Sequence, residues 1–553
     1  MDIRRTVALI IFFTSSFLLW ESWQRQHTPI APVKTPTIAS TPAPNQTATL
    51  PKPSPSTTTT PASNQPPQQN GTLPLGQRIL VQTDKLNVVI DTAGGDLRGL
   101  VLSEHIAAED NSKPVALMQD KGEPFYVTQS GLLGEGLPTH NTLYSATADK
   151  YQLSGGQDKL EVNLVAPEVN GIKVTKVYTF HKGSYVIDVA YQITNNGATS
   201  LTPYAYYQFL RDSAAPPGEV RGANTFTGPA IYTEKNKFVK VAFSDIDKGK
   251  EEYNKKATDG WVGMLQHYFV AAWLPKGNTE REFYTKKIGD KFYAAGIIVP
   301  VGTLEPGKTA SIDVPLYAGP QEVEKIAKLA PGLDLVVDYG WLTIIAAPIF
   351  KVLHFIYDWV KNWGVAIILL TVLIKLLFFP LQSKAARSMA QMKVLAPKMQ
   401  KLKEQFGDDR QKLNQATMEL YKKEKINPLG GCLPIVIQIP VFISLYWVLL
   451  ASVELRHAPF ALWIKDLSAP DPYFILPIIY TITMFVQLKL QPASPDPVQQ
   501  KVMMITPIVF SILFLFFPAG LVLYWIVNNV LSIAQQWYIN RVIESENLAK
   551  AKR

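Results

Sequence analysis

Apolar residues are spread unevenly along this chain, and their spacing changes several times. Arg4 and Arg5 precede an apolar stretch from Thr6 to Trp20. The stretch ends in Trp20-Glu-Ser-Trp23 instead of the small residues of a cleavage site, so residues 1–27 read as an uncleaved transmembrane signal anchor. Residues 28–77 are rich in Pro, Thr, Ser and Gln, with no acidic residue. With almost no large apolar side chains this segment cannot offset its ordering entropy, and it reads as a disordered tether. From Ile79 to Pro320 apolar residues alternate with polar ones, as in Leu86–Asp91, Lys159–Leu164, Ile172–Phe180 and Ser184–Thr194. Lys182-Gly183 is placed to turn the last two into a hairpin. No long helical pattern interrupts the strands, which predicts an antiparallel β-sandwich of about 240 residues within bounds of 78–332.

The period then lengthens. Gln321–Leu329 reads as a short helix stopped by Pro331-Gly332. Residues 333–362 mix Trp341, Ile344, Phe350, Phe355 and Trp359 with Lys351, Asp358 and Lys361. The apolar stretch Trp341–Phe350 is too short to span and contains Pro348, so an interfacial amphipathic helix is expected. Five spans follow: Trp363–Leu381, Leu433–Leu450, Tyr473–Leu490, Ile505–Phe517 and Gly520–Trp537, in a core of residues 363–540. Between the first two, residues 382–431 form a helical hairpin. Met389, Met392, Leu395, Met399, Leu402 and Phe406 recur at helical spacing, Gly407 ends the first arm, and Asp408 with Gln411 resembles a capping box for the second. The basic tail is 541–553. The fold class is thus a multi-domain membrane protein with an N-terminal anchor, an exported β-sandwich and a five-helix α-helical membrane bundle.

Composition changes this picture little, and charge sharpens it. The mean hydropathy of +0.04 averages a water-soluble half with a membrane half. The net charge of +9 sits in short segments flanking apolar runs, which marks cytoplasmic loops and argues against specific nucleic-acid recognition. Residues 382–431 hold eleven Lys or Arg against five Asp or Glu, whereas Ala451–Pro472 balances Arg456 and Lys465 against Glu454, Asp466 and Asp471. Six spans with both termini inside satisfy this distribution. A single cysteine, Cys432, excludes an intrachain disulfide.

Lys375 is the first candidate for function, because a cation inside a span costs a few kcal/mol unless it meets water or a partner. Two readings stand. Lys375 lies about 7.5 Å along a helix from Pro380 and could snorkel to the interface. Alternatively it faces a wet interior, since the five spans contain no acidic residue to pair with it. Thr371 lies one turn away, Gln438 lies inside the second span, and Tyr524, Asn528 and Gln535 form a stripe with Asn529, Ser532 and Gln536 beside it. Interhelical hydrogen bonding accounts for any one of them; together with Lys375 they could line a cavity. There is no phosphate loop, no metal-spaced His or Cys cluster and no dinucleotide turn, and the spans hold no His, Asp or Glu. Cofactor and metal are therefore expected to be none, and an enzyme reading has little support. A small-solute transporter or channel is the main rival, but no internal repeat is seen.

Asp338-Tyr-Gly-Trp341, Asn427-Pro-Leu-Gly-Gly-Cys432, Ser452-Val-Glu-Leu-Arg456, Ala458-Pro-Phe-Ala-Leu-Trp463 and Pro518-Ala-Gly-Leu-Val-Leu-Tyr524 resemble the YidC family of bacterial insertases, in its Gram-negative form with a large periplasmic domain. The resemblance implies an inner-membrane protein that inserts and helps fold other membrane proteins, alone or with Sec translocon components. Nascent membrane proteins, the ribosome and membrane lipids would be its partners. It further implies a β super-sandwich and a positively charged groove open to cytoplasm and lipid. Lys375 would be the groove cation, with Thr371, Gln438, Tyr524, Trp525 and Asn528 as groove residues and Ile439 and Phe442 on the exit side. One family member carries arginine at the cation position; lysine keeps the charge without the planar fork.

Overall fold

The computed structural model describes residues 73–551 except 108–109, 111, 218–224, 408, 425–432 and 491–496. The expected anchor, the tether up to residue 72 and Cys432 lie outside the described residues. The described chain forms two compact units, divided between Val337 and Asp338.

The first unit realises the period-two pattern. Ile172–His181 buries Ile172, Val174, Tyr178 and Phe180, and Val186–Asn195 buries Ile187, Val189, Tyr191 and Ile193. The two strands pair antiparallel, Ile187 opposite Phe180, around a turn in which Gly183 takes φ 69°. A nine-stranded sheet runs through Trp261–Gln266, Phe269–Trp273, Thr309–Pro320, Val186–Asn195, Ile172–His181 and Lys159–Val165. A ten-stranded sheet runs through Phe292–Pro300, Tyr204–Asp212, Tyr126–Leu133, Asp96–Ile106 and Leu86–Asp91. Pairing is antiparallel save for Arg78–Gln82 beside Lys150–Gln152. Two short helices, α1 (Phe243–Lys248) and α2 (Val323–Ile326), complete the unit.

One position breaks the alternation. Lys176 takes an inward place where its strand otherwise sets apolar residues, and it is fully buried. Its Nζ donates to the Gly94 carbonyl at 3.2 Å and lies 5.4 and 5.6 Å from the rings of Tyr178 and Tyr191. Asp96, Arg98 and Asp91 are buried too. Arg98 stands 3.6 Å from Asp96 and 3.8 Å from Asp91, and Gln129 donates to Asp96 at 3.2 Å. Burial pushes the Asp96 carboxyl up to about 7 against the pull of Lys176 and Arg98. Burial likewise brings the Lys176 ammonium down to about 8, with Asp96 opposing.

The second unit is helical. Helix α3 (Thr343–Val360) runs through Pro348 and buries Ala346, Phe350 and Leu353, leaving Ile344, Phe355 and Trp359 exposed. It is longer than the apolar stretch Trp341–Phe350, because charged and polar residues extend the helix beyond that stretch. Lys361 ends it in the left-handed region, and Asn362 caps the next helix by accepting from the Val365 amide at 3.0 Å. Helix α4 (Trp363–Phe406) joins the expected first span and the first hairpin arm into one 44-residue helix, with Pro380 and Pro397 inside it. Each proline removes one backbone bond without ending the helix. Helix α5 (Arg410–Lys423) is capped by Asp409, which accepts from the Gln411 and Lys412 amides; Asp408, the capping residue the sequence suggested, lies outside the described residues. Asp409 stands two and three residues before these free amides, the spacing that capping needs. Then follow α6 (Leu433–Ala451), α7 (Ile475–Leu490), α8 (Pro497–Phe514) and α9 (Ala519–Ala551). The break between the last two covers 515–518, wider than the expected Pro518-Ala519.

Among the described residues, Thr343–Val360 and Trp363–Ala385 are long and apolar enough to cross a membrane by length and composition. Ile437–Ala451 and Ile475–Leu490 are shorter apolar helices. Helix α9 is diluted by Asn528, Asn529, Ser532, Gln535 and Gln536, the same residues that make it a candidate lining.

Candidate functional site

Helical spacing sets the site. On α4, Thr371, Lys375 and Gln382 share a face; on α9, Tyr524, Asn528, Ser532 and Gln535 do. Helix α9 packs against both α4 and α7, so this stripe turns inward.

Lys375 is buried between them. Its Nζ donates to Ser532 Oγ at 2.7 Å and to Gln382 Oε1 at 3.4 Å. Ser532 donates onward to the Asn528 carbonyl at 2.7 Å, and Gln438 Nε2 donates to Asn528 Oδ1 at 2.8 Å. Lys375, Ser532, Asn528 and Gln438 thus form one polar run across α4, α9 and α6. Among the described residues, the hydrogen-bond partners of Lys375 are a hydroxyl and an amide, not a carboxylate. Asn529 extends the polar surface towards α7 through Thr483 at 3.2 Å.

The other candidates divide. Thr371 is buried and spends its hydroxyl on the Ile367 carbonyl of its own helix at 2.6 Å, so it is not joined to the run. The Phe442 ring is tilted against Trp525 at 4.9 Å and stacked on Tyr524 at 6.3 Å, and Tyr480, Phe514 and Trp525 continue the aromatic cluster. Tyr524 Oη is buried towards Gln438 without completing a hydrogen bond to it. Ile439 is 49% exposed, on the outward side of α6. Gln382 and Thr483 were missed by sequence reasoning. Gln382 follows Lys375 by seven residues on the same face, a usable signal that was absorbed into the hairpin; Thr483 carried none.

One end of the bundle is closed by the segment 452–472. Asn362 Nδ2 donates to the Phe460 carbonyl at 2.9 Å. A Cβ on Gly364 would stand 2.0 Å from Phe460 Cδ2, so only glycine admits that ring. The amides of Ala519 and Gly520 donate to Ala469 and Leu467 at 2.8 and 2.9 Å. Asp471, buried, accepts from Leu476 and Tyr473 amides and from the Trp463 indole at 2.7, 3.1 and 3.0 Å. At the other end, Gln535 and Ser383 approach only to 3.5 Å beside Gln382 and Lys384. The segment 452–472 is thus fastened to the ends of α4, α7 and α9, whereas the far end of the polar run borders hydrophilic helix.

Comparison with known proteins agrees with this division. Residues 78–352 match the family model described as the YidC periplasmic domain, and residues 355–546 match that of the 60Kd inner membrane protein. A membrane protein insertase YidC of Nitrosospira multiformis is 52% identical over 569 residues, covering 100% of both chains. One of Methylobacillus flagellatus is 53% identical over 548 residues, covering 98% of each. A crystal structure of an active YidC insertase is similar at 18% identity and a TM-score of 0.39, covering 84% of this chain and 95% of that one. The chain belongs to the YidC family of membrane protein insertases, inner-membrane proteins with a periplasmic domain.

Proposed function

We propose that client segments enter this insertase through a hydrophilic groove lined by α4, α6 and α9, with Lys375 as its cation. The observation that carries the reading is a buried ammonium held by Ser532 and Gln382, with no carboxylate partner among the described residues. A buried charge without a counter-charge is costly, and an acidic or polar client tail entering from water relieves that cost. Asn528, Gln438 and the buried hydroxyl of Tyr524 offer further donors and acceptors; Phe442, Trp525 and Ile439 offer an apolar path outward. A polar segment crossing a hydrocarbon core of ~30 Å meets a shorter barrier when half the depth is wet. The sealed end formed by 452–472 keeps the groove from becoming a pore.

The topology follows from charge. Residues 1–27 anchor the chain with the tether and β unit outside; the hairpin 382–431 and the tail lie in the cytoplasm. Helix α3, apolar on its exposed face but flanked by Lys351, Asp358 and Lys361, lies in the outer interface. The basic hairpin suits a ribosome carrying a nascent chain, and the insertase works alone or beside the Sec translocon. It acts by binding and release, with no bond-making step of its own.

Photocrosslinking from positions 371, 442 and 525 to a ribosome-bound single-span client tests this. Adducts at 442 and 525 that weaken in Lys375→Glu support the groove and its cation. Adducts indifferent to Lys375→Glu return the lysine to snorkelling. No adducts at any position would favour the small-solute transporter or channel instead.

A further inference from the structure

Beyond the client groove, α4 and α9 form a second feature where the apolar run of α4 gives way to its basic arm. A cavity of about 240 Å³ opens between them, lined by Phe379, Ser383, Lys384, Arg387, Tyr538, Ile539 and Val542. Two cations and two hydroxyls stand over an apolar floor, and among the described residues no carboxylate lines it. The α4 face leading to it is exposed and apolar: Leu373, Leu376 and Leu377 are 49, 65 and 73% exposed. Leu373, Leu377, Pro380, Lys384 and Arg387 follow one another at helical spacing, so a single stripe passes from apolar to basic. From Leu373 to Lys384 the stripe is about 16 Å long, close to the ~15 Å of one hydrocarbon leaflet. On α9, Trp537 and Tyr538 are both exposed at this level, and Arg541 stacks over Trp537 at 4.4 Å. Exposed Trp and Tyr beside basic residues mark the membrane–water interface.

We infer that this cavity is a binding site for one anionic phospholipid: the phosphate between Lys384 and Arg387, hydrogen-bonded by Ser383 and Tyr538, and an acyl chain along Leu377 and Leu373. The inference rests on reading Trp363–Leu381 as a span; it does not depend on the client groove. The cavity volume decides against a helical peptide, which is ~10 Å across and needs far more room. Both lipid classes offer a phosphodiester to arginine and serine, but Lys384 and Arg387 would repel the trimethylammonium of a zwitterionic head group, so a head group with net negative charge fits better.

Native mass spectrometry of the full-length protein tests it, with phosphatidylglycerol and phosphatidylcholine of identical acyl chains offered in equal amounts. The expected result is retention of one phosphatidylglycerol in preference to phosphatidylcholine. Each basic residue near an anionic surface contributes roughly fivefold, so Lys384→Gln with Arg387→Gln should weaken retention about 25-fold. Lys398→Gln, further along the same helix and paired with Glu424, should leave it unchanged. If the double variant does not fold, Lys384→Gln alone should show about the fivefold loss. Equal retention of both lipids, or full retention by the variants, overturns the site. Displacement of the lipid by millimolar inorganic phosphate makes it a simple anion site and also overturns it. Displacement by an acidic peptide gives the cavity to clients and does the same.

Discussion

Each half of this chain buries a lysine, and the two are kept in different company. Lys176 lies between the sheets of the β unit, with Asp96, Arg98 and Asp91 buried around it and the Gly94 carbonyl as acceptor. Lys375 lies between α4 and α9 with a serine and a glutamine. A buried cation among buried carboxylates is balanced from within and belongs to architecture. A buried cation among neutral groups is balanced only when something arrives, and that makes it a candidate for work. Burial alone, which places both in the interior, would not have told them apart.

The largest effect should come from unbalancing the first site. Asp96→Ala removes a carboxylate from beside Lys176 and Arg98 and should cost about 3–5 kcal/mol, the usual loss when one partner of a buried charge set is deleted. Hydrogen exchange of Ile172–Asn195 against urea in the full-length protein would measure it. An unchanged midpoint would mean that the cluster is not coupled. The same group predicts a pH dependence with a definite sign. Its folded value of about 7 lies above the ordinary carboxyl value of 3.8, so its stabilisation is complete below pH 3.8 and is lost as pH rises through 7. Between those values stability should fall by up to about 1.4 kcal/mol per pH unit. Lys176, down to about 8 from 10.5, acts oppositely above pH 8, where stability should rise with pH until 10.5. Asp96→Asn should flatten the acid limb and, by removing the charge that opposes the lowering of Lys176, carry the alkaline rise to lower pH.

Second in size is the sealed end. Gly364→Ala places a methyl against the Phe460 ring, and overpacking of this kind costs about 1–3 kcal/mol. Faster hydrogen exchange across Phe460–Leu467, with Ile172–Asn195 unchanged, would locate the damage in the helical unit. Exchange unchanged in both would show that Phe460 can turn aside freely.

What was legible in the sequence follows from how each region signals itself. The sandwich announced its strands because one face of each is apolar, and the hairpin at Gly183 stands where the pattern put it. Lys176 was invisible for the same reason: in a period-two pattern a lone lysine reads as one more outward residue, and its partners are 80 residues away on another sheet. In the helical unit, Lys375 was conspicuous because a charge in an apolar run has no ordinary place. The pairing with Ser532 could not be read, since it depends on how α9 packs against α4 and not on spacing within either helix. The continuous α4 was missed because Pro380 and the change from apolar to polar residues both resemble a helix end, although neither removes more than one backbone hydrogen bond.

Third, Lys375→Met tests whether the second lysine is kept for a partner. Loss of the charge should reduce insertion of a client with an acidic tail about tenfold, equivalent to one modest charge interaction. Insertion of a client with a neutral tail should change far less. Thermal stability of the bundle should hold or rise, because an uncompensated charge is gone. Equal loss for both clients, with lower stability, would make Lys375 architectural like Lys176.

The smallest effect separates charge from shape. Lys375→Arg keeps the cation but replaces a compact ammonium, satisfied by Ser532 and Gln382, with a planar fork of five donors. If the groove uses only the charge, insertion of the acidic-tailed client should stay within about twofold of wild type. A clear gain would mean that clients are held bidentately when the fork is available, so that the lysine form works by attraction without orientation. A loss as large as that of Lys375→Met would mean that the fit of the ammonium against Ser532 matters as much as its sign. In that event the polar run through Asn528 and Gln438 would be the functional unit, and Lys375 one member of it.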